Sequence, residues 1–299
     1  MKEFWKQCKA WLKPGNLILL GLIVVCLLVY KGYQRLDQLW TDRTPPVITV
    51  TMPVAEVSVK DADGALLQGI TAADETDGDV TSSMIVESVM LLDTTGRAEV
   101  RYAAFDRSGN VAKATREVRF TDYTRPEFTL NAPLLYVHGV AFDVLRDLGV
   151  QDVVDGDLQH RIKATSVDGE SITTQGTHMV QFQVTNSLGD TVKLSLPVEV
   201  YAAGAYNARL TLTDYLVYLP KGGTFDAGSY LKEFIVGEEI TDLQGGSRSG
   251  FTAKISGQPD MQNPGVYAVD YRITWQKNTT SSIRQEYTAY SRLIVIVEG

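Results

Sequence analysis

The chain has 299 residues, with 28 Lys and Arg against 36 Asp and Glu, for a formal net charge of −8. The acidic excess lies after residue 43, where 21 basic and 33 acidic residues give −12. Such a surface repels nucleic acid and argues against a phosphate-binding groove, so no nucleic-acid partner is expected. Both cysteines, Cys8 and Cys26, precede this acidic part. A cysteine-free exported part is typical of Gram-positive bacteria and less so of disulfide-stabilised domains.

The N-terminal segment combines a basic start with an apolar run. Leu17–Tyr30 carries no charge, and with its flanks it approaches the ~20 residues that cross a bilayer as a helix. The bulky and charged residues after Tyr30 do not suit signal-peptide cleavage. Four lysines precede the run, at positions 2, 6, 9 and 13, which predicts a cytoplasmic N-terminus. The sequence therefore predicts a single-pass signal-anchor in the cell membrane, with the lipid bilayer as partner and the remaining chain extracellular.

The rest of the chain repeats itself with an offset of 80 residues. PPVITV, ending at Val50, corresponds to RPEFTL, ending at Leu130. Three further pairs share this offset: Gly96 and Gly176, Tyr102 and Phe182, and Gly109 and Gly189. A fixed period indicates an array of like units, the alternative being one large β-domain with accidental similarity. Apolar and polar residues alternate between Gly, Asn, Asp and Ser turns, which predicts antiparallel strands in small β-sandwiches.

Proline-marked junctions divide the chain into four predicted segments. We expect residues 1–43 to form the cytoplasmic tip, transmembrane helix and juxtamembrane segment. Residues 44–121, 122–202 and 203–299 are expected to be the three repeated domains, the last of them divergent. The predicted fold class is all-β, with three tandem immunoglobulin-like β-sandwiches after a single transmembrane α-helix.

The segments TPPVITV, AADETDGDV and FDRSGN carry a resemblance to a known family. Together they resemble the bacterial immunoglobulin-like repeat modules of surface proteins, which are similar in layout to HYR and cadherin-like β-sandwiches. The resemblance is good over 44–121, fair over 122–202 and weaker over 203–299, which lacks the DGD element. It implies exposed sandwich modules and no particular reaction, because fold alone does not define chemistry.

Two acidic motifs are candidate metal ligands. They are Asp74, Asp77 and Asp79 in the first repeat and Asp152, Asp155 and Asp157 in the second. Oxygen ligands at this density suit calcium. In the other interpretation, the carboxylates cap backbone amides in tight turns. The turn interpretation is favoured, because the spacing is not that of an EF-hand loop and cadherin linker motifs are absent. No cofactor is therefore expected, with calcium as the open alternative.

The third repeat is rich in aromatic residues. Tyr267, Trp275 and Tyr287 are either core residues or a ligand-binding face, since Tyr and Trp supply contact area at small entropy cost. The histidines lack H-x-x-x-H spacing and no G-x-S-x-G or P-loop motif occurs, so we expect no catalytic residues and no enzyme.

The functional prediction follows from these features. We expect a membrane-anchored bacterial cell-surface protein for binding, adhesion or scaffolding, which presents three immunoglobulin-like modules to a surface protein or polysaccharide ligand. The alternative is an accessory subunit of a membrane-bound envelope polysaccharide or secretion assembly, which docks through its transmembrane helix.

Overall fold

The computed structural model describes residues 14–40, 42–167, 169, 171–245, 248–278 and 284–299. Two α-helices are present in this part of the chain, α1 (Pro14–Trp40) and the one-turn α2 (Ala62–Ala65). Short 3-10 helices cover Val59–Asp61, Thr81–Ser83, Gln159–Arg161 and Ala227–Tyr230. All other regular structure is β-strand.

Helix α1 contains the apolar run that was predicted to span a membrane. This run, Leu17–Tyr30, covers about 21 Å at 1.5 Å per residue, against a hydrocarbon thickness of about 30 Å. Lys31, Arg35 and Asp37 follow within the same helix. Among the described residues, no helix is both long enough and apolar enough to cross a membrane. This finding contradicts the predicted single-pass anchor and the localisation built on it, with a cytoplasmic N-terminus and extracellular domains.

The described residues contain 21 strands in three sets of seven. The first set comprises β1 (Val47–Val50), β2 (Val54–Val57), β3 (Ile70–Asp74), β4 (Gly78–Asp79), β5 (Ile85–Leu91), β6 (Arg97–Phe105) and β7 (Val111–Phe120). The second set comprises β8 (Glu127–Leu130), β9 (Leu135–Val137), β10 (Leu148–Asp152), β11 (Gly156–Asp157), β12 (Lys163–Ser166), β13 (Gly176–Thr185) and β14 (Thr191–Tyr201). The third set comprises β15 (Arg209–Leu212), β16 (Leu216–Pro220), β17 (Leu231–Val236), β18 (Glu239–Asp242), β19 (Phe251–Ser256), β20 (Gly265–Asn278) and β21 (Arg284–Glu298).

Each set folds into the same pair of sheets. A three-stranded sheet takes the first, third and fourth strands, in the orders β1-β3-β4, β8-β10-β11 and β15-β17-β18. A four-stranded sheet takes the others, in the orders β2-β7-β6-β5, β9-β14-β13-β12 and β16-β21-β20-β19. The second strand lies parallel to the last one in the second and third sets. The all-β class with three pairs of sandwich-like sheets is thus confirmed, and the 80-residue offset reflects one repeated topology.

Contacts divide the chain into two compact units. The first unit contains the chain up to Val57, Asp61–Val89 and Glu99–Arg119, and the second contains Ser58–Lys60, Met90–Ala98 and Phe120–Gly299. The second and third sets of strands therefore belong to one unit. The predicted boundaries at residues 44–121, 122–202 and 203–299 stay a prediction.

Within the second unit, the second and third sets pack against each other. Ile294 of β21 is 2% exposed and belongs to the same core cluster as Phe128 and Leu148. The Phe128 amide donates to the Tyr218 hydroxyl at 2.9 Å. These contacts join the two sets through both apolar packing and a hydrogen bond.

The alternating residues of the penultimate strands form the cores. Tyr102 of β6 is fully buried, and its hydroxyl donates to the Leu66 carbonyl at 2.8 Å. Burial raises the pKa of Tyr102, although the nearby Arg116 guanidinium opposes this effect. In the second set, Phe182 corresponds to Tyr102 and Leu196 corresponds to Arg116, and both are fully buried. A polar pair in one copy is therefore replaced by an apolar pair in the other.

Two glycines lie where the strands that carry these core residues begin: Gly96 directly precedes β6, and Gly176 is the first residue of β13. Gly96 has a φ of +91°, and a Cβ there would lie 2.6 Å from the Phe120 carbonyl oxygen. Its own carbonyl accepts from the Phe120 amide at 2.8 Å. Gly176 also has a positive φ, of +133°, but a Cβ there would meet nothing within 4 Å.

We therefore expect Gly96→Ala to lower the free energy of unfolding by roughly 2–4 kcal/mol, through backbone strain and the clash with Phe120. Gly176→Ala adds strain without a clash and should cost only about 1 kcal/mol. Urea unfolding of the two variants, followed by circular dichroism, measures the difference. Equal losses would contradict the role of the Gly96–Phe120 contact.

Candidate functional site

The last aspartates of the two DGD motifs cap turns. Asp79 Oδ1 accepts from the Thr81 amide at 2.9 Å, and Asp157 Oδ1 accepts from the Gln159 amide at 2.9 Å. The hydroxyl and amide of Thr81 lower the pKa of Asp79. Both contacts have the geometry of the turn interpretation.

The middle aspartates join each DGD turn to a later turn of the same set. Asp77 Oδ2 accepts from the Arg107 amide at 2.8 Å, and the Arg107 guanidinium lies 3.5 Å from Asp77 Oδ1. Asp155 Oδ2 accepts from the Ser187 amide at 2.6 Å and from the Arg161 guanidinium at 3.2 Å. Both carboxylates therefore already have donors.

The first aspartates, Asp74 and Asp152, are each only 7% exposed. In each residue, Oδ1 accepts from the amides two and three residues further along, at 2.8 and 3.0 Å for Asp74 and at 2.9 and 2.8 Å for Asp152. The two sites differ at Oδ2. Asp152 Oδ2 accepts from Asn186 Nδ2 at 3.2 Å, whereas the buried Asp74 Oδ2 has no partner among the described residues.

The structure brings Asp74 together with two acids outside its motif. One carboxylate oxygen each of Asp42, Asp74 and Asp106 lies within 4.8 Å of the others. Asp42 Oδ2 is also buried without a partner in the described part of the chain. The Thr44 amide and the Thr76 hydroxyl lower the pKa of Asp42. No other group of three acids or metal-ligating residues in the described part meets this distance.

Sequence reasoning missed this group because its members are far apart in the chain. Asp42 falls in the segment assigned to the anchor, and Asp106 belongs to the turn after β6. Asp77 and Asp79, which were grouped with Asp74, are not part of it. The one signal in the sequence was a contrast between repeats, since Asp106 corresponds to Asn186 at the 80-residue offset.

In the second set, Asn186 supplies the hydrogen-bond donor that the buried carboxylate of Asp152 needs. Its Nδ2 donates to Asp152 Oδ2 at 3.2 Å and to the Tyr123 hydroxyl at 3.1 Å. That hydroxyl in turn donates to Asp190 Oδ2 at 2.8 Å. Burial and the hydrogen bond to Asp190 raise the pKa of Tyr123, which keeps the hydroxyl protonated as a donor. Every carboxylate of this network has a donor.

The three predicted ligand-binding aromatics do not form one group. Trp275 stacks on Phe251, with ring centroids 5.1 Å apart and planes at 7°, and the Tyr287 ring lies 5.8 Å from Trp275. Tyr267 is eight residues earlier on β20, about 27 Å away along the strand, where its hydroxyl donates to the Asn263 carbonyl. All three rings are half-buried against the core of the third set. Their role as a ligand face stays a prediction.

A groove lies beside the Phe251–Trp275 stack, along β19. Its cavity of about 530 Å³ has an apolar floor that includes Phe251, Ile255 and Ile273. Asp226 and Arg248 line the same cavity and are exposed. A second cavity of about 340 Å³ also includes Asp226 and Ile255, so the concave surface continues past the end of the strand.

Comparisons with known proteins give matches among solved structures only. No family model matches the chain, so none confirms the HYR assignment, and no curated protein matches it. Similar solved structures include the CBM51-2 and INT domains of Clostridium perfringens ZmpB (12% identity, 83% of this chain, 48% of that chain, TM-score 0.22). Another is the protocadherin GammaB4 extracellular domain (11% identity, 85% of this chain, 50% of that chain, TM-score 0.20). A third is mouse cadherin-23 EC22-24 (14% identity, 86% of this chain, 99% of that chain, TM-score 0.20). The chain spans about half the length of the first two, and at these TM-scores the matches carry no argument about ligand or activity.

The Asn186 network gives a test of how each repeat satisfies its buried acid. Asn186→Asp removes two donors and places a second carboxylate beside Asp152, which should cost about 2–4 kcal/mol at pH 7. Two adjacent buried carboxylates raise the pKa of one of them above its value of about 3.9 in the unfolded chain. The loss should therefore be complete above the raised pKa and shrink as the pH falls through it.

Thermal unfolding between pH 4 and pH 8 measures this dependence. Thr185→Asp adds the same charge at an exposed position of β13 and is the control, with an expected change below about 0.5 kcal/mol. A loss that is equal for both variants, or constant with pH, would contradict the proposed network.

Proposed function

We propose that the chain is a non-catalytic binding or adhesion protein, and that its third set of strands binds an extended polypeptide segment of a partner protein along β19. The observation that carries this proposal is an apolar groove beside an open sheet edge. The alternative role as an accessory subunit depended on a transmembrane helix as the docking element, and it is not retained.

The open edge supplies backbone groups for a polypeptide. β19 is the terminal strand of the sheet β16-β21-β20-β19 and pairs with β20 alone, from Phe251 with Trp275 to Ser256 with Asp270. Its other side therefore presents N–H and C=O groups that have no strand neighbour among the described residues. An added strand from a partner satisfies such groups, which is how β-augmentation gives affinity.

The groove supplies contacts for the side chains of that segment. Ile255 is 37% exposed and lines both cavities, so it lies at the centre of the concave surface. Alternate residues of an added strand point to the same face, which places apolar side chains of the partner on the groove floor. Asp226 and Arg248 favour a segment that carries charges of both signs around its apolar residues.

A polysaccharide fits the same surface less well. Sugars bind proteins by stacking on aromatic rings, but one face of Trp275 is covered by Phe251 and the Lys277 ammonium lies 5.1 Å from the ring centroid. The outward N–H and C=O groups on alternate residues of β19 favour a polypeptide instead. For this reason a polypeptide is the ligand class that we propose.

The full chain should select peptides with alternating apolar residues from a displayed random library. Ile255→Asp places a charge on the groove floor and should weaken the binding of a selected peptide more than tenfold, a loss above about 1.4 kcal/mol. Val266→Asp is the matched control, because Val266 is an exposed β-strand residue outside both cavities. Fluorescence anisotropy of a labelled peptide measures both affinities.

A glycan array probed with the same protein tests whether the ligand is instead a polysaccharide. Failure to enrich peptides, equal binding by both variants, or glycan binding that Ile255→Asp abolishes would each contradict the proposal.

A further inference from the structure

The geometry points to a calcium-binding site formed by Asp42, Asp74 and Asp106 in the first unit. Two ligand atoms at about 2.4 Å from one calcium ion are at most about 4.8 Å apart. One oxygen from each of these three carboxylates meets that limit with both others. The distances between these three oxygens are therefore compatible with one shared ion.

The second observation is the pair of buried carboxylate oxygens that lack a partner. Asp74 is only 7% exposed, and its Oδ2 accepts no hydrogen bond from the described residues. Asp42 Oδ2 is in the same condition. No Lys or Arg of the described chain forms an ion pair with any of the three acids. Buried carboxylates are costly unless they are paired or coordinate a metal, and a divalent cation supplies the missing partner.

Hydrogen bonds to the backbone hold the three acids in place. The Oδ1 atoms of Asp42 and Asp74 accept from amides, for example from Thr44 at 2.9 Å, and this directs each Oδ2 away from the turn. Asn110 holds Asp106 through its amide at 2.7 Å and its Nδ2 at 2.6 Å. The same Nδ2 donates to the Asp42 carbonyl at 3.1 Å, so it also fixes the segment before β1. Such turn caps and a cation site coexist, because they use different oxygens of Asp42 and Asp74.

The second set shows what the site looks like without a cation. Asn186 stands where the first set has Asp106, and its amide together with Tyr123 satisfies the network around Asp152. We therefore expect one calcium ion per chain and none at the second set. Calcium takes six to eight oxygen ligands, so water completes the shell on the side of Asp42, which is only half-buried. Exposed modular sites of this kind have dissociation constants of about 0.1–1 mM.

The test uses the full chain with calcium chloride as the only added ligand. Isothermal titration calorimetry gives the stoichiometry, and differential scanning calorimetry compares melting temperatures in calcium and in chelator. At calcium well above the dissociation constant, the melting temperature should rise by roughly 3–8 °C. Magnesium at the same concentration should give a smaller rise, because it demands a tighter octahedral shell.

Asp74→Asn and Asp152→Asn form a matched pair, since both residues cap the same turn through Oδ1. In Asp74→Asn, Nδ2 replaces the unpartnered oxygen and donates towards the neighbouring carboxylates. This variant should melt higher than the unmodified chain in chelator and lose its response to calcium. In Asp152→Asn, the new amide faces the Asn186 amide. That variant should melt lower and keep the full calcium response.

Asp42→Asn provides a second variant if Asp74→Asn does not fold, and it too should abolish the calcium response. The proposal is overturned if calcium does not bind, if the response survives Asp74→Asn and Asp42→Asn, or if Asp152→Asn removes it.

Discussion

A buried carboxylate that needs hydrogen-bond donors is the constraint on which the first and second sets depend. Asp74 and Asp152 end the third strand of their sets, and each accepts two backbone amides of the turn that follows. The middle aspartate of each motif, Asp77 or Asp155, accepts a hydrogen bond from the backbone amide of a turn more than 25 residues further along. Two turns remote in the chain are joined in this way, which closes one end of the sandwich without a disulfide or a large core.

Differences between the repeats come in compensating pairs. Tyr102 and Arg116 both donate to the Leu66 carbonyl, and the second set replaces this pair by two apolar residues. A change of one member alone would leave a buried polar group unpaired, at a cost of about 1–3 kcal/mol. The exchange of Asp106 for Asn186 follows the same rule, because Tyr123 accompanies Asn186 in its network. Polar positions therefore distinguish copies whose topology is the same.

The sequence carried the local and periodic features of the fold but not the contacts between distant segments. Alternation at period two and the 80-residue offset predicted the strands, and the turn interpretation of the DGD motifs predicted amide caps such as the one between Asp79 and Thr81. Asp42 and Asp106 each lie 32 residues from Asp74, and nothing local indicates that their oxygens meet. The groove could not be predicted from the sequence either, because the open edge at β19 follows from the order of strands in the sheet and not from the composition of that strand. At the N-terminus, the apolar run was read as a membrane span although charged residues follow Tyr30 within the same helix.

The parallel pairing of second and last strands has a mechanical consequence. β9 pairs with β14 over three residue pairs, and β16 pairs with β21 over five. In each case a strand near the start of a set lies beside the strand that ends it. Tension applied between the two ends pulls these strands past each other, so the hydrogen bonds between them are loaded together in shear and do not open one at a time. The arrangement therefore resists stretching, and the third set, with the longer pairing, should yield at the higher force of the two.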